Sequence, residues 1–107
     1  MLEGGYKPKL IRKLERMFPG CIIIKNDEQL FQGIPDMLIL WHDKWAMLEV
    51  KKSRTAAARP NQPEWVAHFD KMSFAAFIYP ENEEEVLHDL QSAFRPSRPT
   101  RSASKRQ

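Results

Sequence analysis

The chain has one cysteine, Cys21, in 107 residues, so no internal disulfide can staple it. His42, His68 and His88 are scattered, and none stands at a zinc-ligand spacing from Cys21, which excludes a structural zinc site and leaves the histidines structural or solvated. No apolar run approaches the roughly 20 residues that span a bilayer, so no membrane segment is expected. Met1 to Lys9 holds no apolar stretch fit for a signal peptide, which together with the lone cysteine predicts a reducing, cytoplasmic setting. Internal repeats are absent, and acidic residues stop before position 95.

That last absence divides the charge. Five of the seventeen basic residues, Arg95, Arg98, Arg101, Lys105 and Arg106, follow residue 94, so the formal net charge of +3 describes a tail. Residues 1–94 hold twelve basic against fourteen acidic side chains, a net charge of −2. The expected organisation is one domain over 1–94 and a basic, flexible tail over 95–107, either solubilising or a sequence-independent contact to a polyanion. With 42 % hydrophobic and 29 % charged residues, the rest is ordinary globular composition.

Pro8, Leu10, Ile11, Leu14, Met17 and Phe18 have helical spacing and stop at Pro19-Gly20, which predicts a helix over 7–18. Cys21 to Ile24 reads as a strand. Met37–Trp41 and Trp45–Val50 are apolar runs joined by His42-Asp43-Lys44, a hairpin expected to form the central strands, covered on both faces. Trp65, Val66 and Phe69 predict a second helix over 63–72, Phe74 to Tyr79 another strand, and Val86, Leu87, Leu90 and Phe94 a last helix with an acidic start. The order is αβββαβα, an α/β chain.

Asp36 opens one hairpin strand and Glu49-Val50-Lys51 closes the other. Side chains alternate along a strand, so Glu49 and Lys51 share a face. A turn of two or four residues centred on Asp43 and Lys44 pairs 36 with 51 and brings Asp36 to that face, whereas an odd loop without a bulge sends it to the other. Two converging carboxylates repel each other and need a cation. Mg²⁺ suits them, with the Val50 carbonyl as a further oxygen ligand and Lys51 assisting at a phosphate, a constellation fit for phosphodiester hydrolysis. The same residues also fit a solvated Glu49–Lys51 pair and an Asp36 turn cap.

Gly33-Ile34-Pro35-Asp36, then Leu48-Glu49-Val50-Lys51, then Asn61-Gln62 at a helix start resemble the PD-(D/E)XK nuclease superfamily, and within it the small virus-type replication-repair nucleases (VRR-NUC) of phages and prophages. The resemblance covers about residues 3–94. It implies a restriction-endonuclease-like core with a central mixed sheet flanked by helices, and Mg²⁺- or Mn²⁺-dependent cleavage of DNA, sometimes branched DNA such as Holliday junctions. For a phage-encoded chain the setting becomes the host cytoplasm. It makes Asp36 and Glu49 metal ligands, Lys51 the catalytic lysine and Gln62 an accessory residue. It also implies a further acid near the first helix, for which this chain offers Glu3, preferred, or Glu15.

Lys52, Arg54 and Arg59 follow the lysine, where they contact flanking phosphates or simply face solvent. Trp41, Trp45 and Trp65 are expected in core or dimer packing. A domain this small has little surface for a DNA junction, so junction cleavage predicts a homodimer with two sites. The alternative is a noncatalytic nucleic-acid-binding module that retains the fold.

Overall fold

A computed structural model describes residues 5–27 and 29–96; Glu3 and all but two residues of the basic tail lie outside them. The elements are α1 (Tyr6–Met17), β1 (Ile22–Lys25), β2 (Met37–Trp41), β3 (Lys44–Val50), α2 (Gln62–Met72), β4 (Phe74–Ile78) and α3 (Glu83–Phe94). This is the expected αβββαβα order. The strands form one mixed sheet in the order β1-β2-β3-β4, antiparallel except for the parallel β3–β4 pair made across the α2 crossover. No helix among the described residues is long and apolar enough to cross a membrane.

The alternation of β3 sorts the layers. Ala46 and Leu48 face α1 and α3 in the main core with Leu10, Leu14, Ile39, Ile78 and Leu90. Met47 faces α2 with Val66 and Ala75. Phe18, Trp41 and Phe94 close one end of the main core through edge-on and stacked ring contacts, and Trp45 packs on Phe69, so both hairpin tryptophans are packing residues.

Two expectations need correction. The hairpin strands are central, but only β3 is covered on both faces, because a helix about 10 Å wide spans two strands spaced about 4.8 Å apart. The single helix α2 lies over β3 and β4, and Ile22 and Ile24 of β1 stay 57 % and 43 % exposed on that side. The hairpin register also differs. Its turn is His42-Asp43, with His42 at φ 56° and Lys44 already in β3, so the pairs run Trp41–Lys44 to Met37–Leu48. One step further, Asp36 stands opposite Glu49 rather than Lys51. The offset is two residues, so Asp36 and Glu49 still stand side by side, but the Asp36 carboxylate turns to Lys7 of α1, on the opposite side of the sheet from Met47 and Glu49.

One glycine decides how the segment before β2 docks. Gly33 has φ +85°, and a Cβ there would lie 2.5 Å from the Pro60 carbonyl oxygen and 2.9 Å from Asn61 Cβ. The bare backbone thus lets residues 31–36 pack on the start of α2, where Trp65 Nε1 donates to the Gln32 carbonyl at 3.1 Å. Gly33→Ala combines a left-handed conformation with a backbone clash and is expected to cost more than about 2 kcal/mol. Urea denaturation measures this; a loss below about 0.5 kcal/mol would mean that the close approach has no energetic weight.

Candidate active site

The C-terminal end of β3 and the N-terminal end of β2 meet at one end of the sheet, and Asp36, Glu49, Lys51 and Gln62 gather there. Asp36 N–H donates to Glu49 Oε1 at 2.9 Å. Asn26 fixes the strand end by donating from its backbone to the Asp36 carbonyl at 2.9 Å and from Nδ2 to the Pro35 carbonyl at 2.8 Å. Lys51 N–H bonds the Ile78 carbonyl at 2.9 Å, which anchors the lysine to β4.

Glu49 is 5 % exposed, an unusual position for a carboxylate. Burial raises its pKa above the ordinary value. The Lys51 charge and the Asp36 N–H offset this in part, the Asp36 charge adds to it, and the Gln62 amide pulls weakly downward. Lys51 Nζ lies 3.5 Å from Glu49 Oε2 and donates to Gln62 Oε1 at 2.9 Å and the Ala57 carbonyl at 3.2 Å, so the lysine is held from three sides.

Gln62, which the sequence alone would leave as a first-turn helix residue, is fully buried. Its Oε1 accepts from Lys51 Nζ and from the Arg59 N–H, both at 2.9 Å. Two donors on one atom fix the amide orientation. Its Nε2 is buried and, despite its proximity to Glu49, makes no hydrogen bond with the described residues. A buried donor without an acceptor is costly, and a ligand oxygen would satisfy it.

Asp36 turns its carboxylate toward α1. Lys7 Nζ lies 2.5 Å from Asp36 Oδ2, a partner that the sequence did not disclose. The residue of α1 that reaches this site is therefore a cation. Glu15, one of the two acids considered for the first helix, is exposed about 12 Å further along α1 by helical rise, where its charge acts on Cys21. Its alternative, Glu3, lies outside the described residues.

Arg59 borders a cleft of about 460 Å³ with Asp36, Lys25, Asn26 and Asp27. Lys51 opens instead into a cavity of about 260 Å³ that Arg54 also lines, with Phe77 and Tyr79 as its floor. Arg54 N–H bonds Glu81 Oε1 at 3.1 Å, and Lys52 is exposed beside it. His42, His68 and His88 are exposed and lie apart from these groups.

The donor chemistry here is hard oxygen: two carboxylates, with the Val50 carbonyl between Glu49 and Lys51 in sequence. Among the described residues no group of three or more His, Cys, Asp or Glu is placed to hold an ion. A cation at this end of the sheet would therefore keep several water or substrate ligands, as Mg²⁺ does and Zn²⁺ in a structural site does not. No family model, no curated protein and no solved structure matches the chain.

Proposed function

We propose that the chain is a divalent-metal-dependent DNA endonuclease that hydrolyses phosphodiester bonds. The observation that carries this reading is the burial of Glu49 opposite Asp36, with Lys51 fixed beside it. Folding gains nothing from a desolvated carboxylate near a second one, whereas a site for a hard cation and a phosphate needs both.

Asp36 and Glu49 would hold Mg²⁺ or Mn²⁺, with the Val50 carbonyl as a third oxygen. The bound cation supplies Lewis acidity at the phosphate and a lower pKa for water. Lys51 Nζ, oriented by Gln62 and Ala57, sets a positive charge where the phosphate gains negative charge, the kind of preorganised stabilisation that transition states favour most. The buried Nε2 donor of Gln62, beside Glu49 and without a hydrogen bond among the described residues, would take a phosphate oxygen or the attacking water. Lys52, Arg54 and Arg59 hold phosphates on either side of the cut.

The αβββαβα order and the mixed sheet support a restriction-endonuclease-like core of the virus-type replication-repair kind. Branched DNA is the substrate class that follows from that likeness, with a homodimer supplying two sites, and the exposed Ile22 and Ile24 strip is apolar surface available for such an interface.

Incubation with branched, nicked, linear and single-stranded DNA tests the reading. Cleavage is expected with Mg²⁺ or Mn²⁺ and none with EDTA. Binding without cleavage of any substrate in either metal would favour a noncatalytic module, and cleavage that persists in EDTA would sink the metal mechanism.

A further inference from the structure

Helix α1 carries five cations, Lys7, Lys9, Arg12, Lys13 and Arg16, against one acid, Glu15. Lys7 turns to Asp36. The other four occupy positions i, i+3, i+4 and i+7, which is one face of a helix. All four are exposed. They border a groove of about 470 Å³ whose far wall includes Glu83 of α3.

The one acid among the described residues of this groove is already engaged. Lys13 Nζ donates to Glu83 Oε2 at 2.6 Å and the Tyr6 hydroxyl to Oε1 at 2.7 Å. Burial alone would raise the Glu83 carboxyl, but these two bonds and the Lys13 charge hold it below its ordinary value. It therefore stays ionised and cancels Lys13, while Lys9, Arg12 and Arg16 have no acidic partner among the described residues. Three uncompensated cations in line are unexpected on a domain whose first 94 residues carry a net negative charge.

The groove also has a direction. Glu83 on its far wall is two residues from Glu81, which accepts the Arg54 N–H, and Arg54 shares a cavity with Lys51. Lys9 to Arg16 covers about 10 Å of helix, and one strand of duplex DNA presents a phosphate about every 3.4 Å of axis.

We propose that this groove is a second binding site, distinct from the loop after Lys51, that takes the sugar–phosphate backbone of DNA over about three successive phosphates on one side of the active site. The choice of DNA as the polyanion rests on the nuclease reading above. The contacts carry no sequence information; they set affinity and the direction in which the duplex leaves the site.

The test is fluorescence anisotropy of a labelled 20-base-pair duplex in EDTA, from 50 to 200 mM salt, with wild type and the triple variant Lys9→Ala/Arg12→Ala/Arg16→Ala. Each phosphate contact contributes about 0.9 to the slope of log affinity against log salt, so the variant slope is expected to be shallower by about 2 to 3. Affinity at 100 mM salt should fall on the order of tenfold to a hundredfold. The charge-keeping variant Lys9→Arg/Arg12→Lys/Arg16→Lys should keep the wild-type slope. The altered side chains are exposed, so thermal melting should be unchanged. An unchanged slope in the alanine variant overturns the proposal, even if the wild type cleaves DNA. If the wild type cleaves nothing yet its binding depends on the three cations, the groove stands and the catalytic reading falls. Absence of DNA binding by the wild type at 50 mM salt overturns the groove.

Discussion

Lys51→Ala is expected to lower Mg²⁺-supported DNA cleavage by a factor on the order of 10³, the upper range for removal of one preorganised stabilising group. The loss should appear in kcat, because Lys51 is held by Gln62, Ala57 and Glu49 before any substrate arrives and its contribution is made as phosphate charge develops. The variant should also be less stable near neutral pH. Lys51 is the largest influence offsetting the desolvation of Glu49, and without it a buried carboxylate is left with only the Asp36 N–H and the Gln62 amide. Protonation of Glu49 removes that cost, so the stability deficit should shrink toward pH 4. Single-turnover cleavage and thermal melts at pH 4 and 8 separate the two effects. Activity within tenfold of wild type would remove Lys51 from the chemistry.

The sequence made the order of elements legible because each one carries a strong period. Leu10, Leu14 and Phe18 could only be a helix face, and the runs before and after His42-Asp43 could only be strands. The pairing of Asp36 with Glu49 was legible in parity alone. Turn length fixes register, and whether Lys44 belongs to the turn or to β3 depends on His42 accepting a left-handed conformation, which a sequence does not announce. The two registers differ by an even step, so Asp36 still stands beside Glu49, but the turn of its carboxylate to Lys7 of α1 was not legible in parity. Coverage of the sheet was less legible, since a hydrophobic run does not say how many helices lie over it.

The partners of the site residues were harder to foresee, because they depend on how whole elements dock. Lys7 lies 29 positions from Asp36 and meets it only because Leu10 and Leu14 seat α1 on the sheet. Gln62 was named through a likeness to known nucleases, but its role in orienting Lys51, and its buried Nε2, arise from the docking of α2 against the loop that Gly33 permits. The cations of α1 show the same limit. Spacings of i, i+3, i+4 and i+7 describe any solvated helix face, and what sets this one apart is that, among the described residues, Glu83 on another helix pairs with Lys13 and leaves Lys9, Arg12 and Arg16 without an acid.

Glu49→Gln is expected to abolish cleavage while making the protein more stable near neutral pH, by roughly 3 to 8 °C in thermal midpoint if the gain is about 1 kcal/mol in a domain of this size. The sign follows from the direction of the shift. Burial, incompletely offset by Lys51, the Asp36 N–H and Gln62, raises the Glu49 pKa in the fold above its unfolded value. Such a group contributes stability below its unfolded pKa, and that contribution is lost as pH rises through the folded pKa. Above it, the folded protein carries an ionised, desolvated carboxylate that glutamine does not reproduce. The gap between variant and wild type should thus be small near pH 4, widen as pH rises and level off once Glu49 is ionised. In the proposed enzyme the cation reverses this balance: Mg²⁺ prefers the carboxylate, so saturating Mg²⁺ should stabilise the wild type, leave Glu49→Gln nearly unmoved and close the gap. Thermal melts from pH 4 to 8, with EDTA and with Mg²⁺, read all of these outcomes. A variant less stable than wild type at pH 8 in EDTA would mean that Glu49 is a structural partner of Lys51 rather than a ligand in waiting, and equal stabilisation of both proteins by Mg²⁺ would place any metal elsewhere.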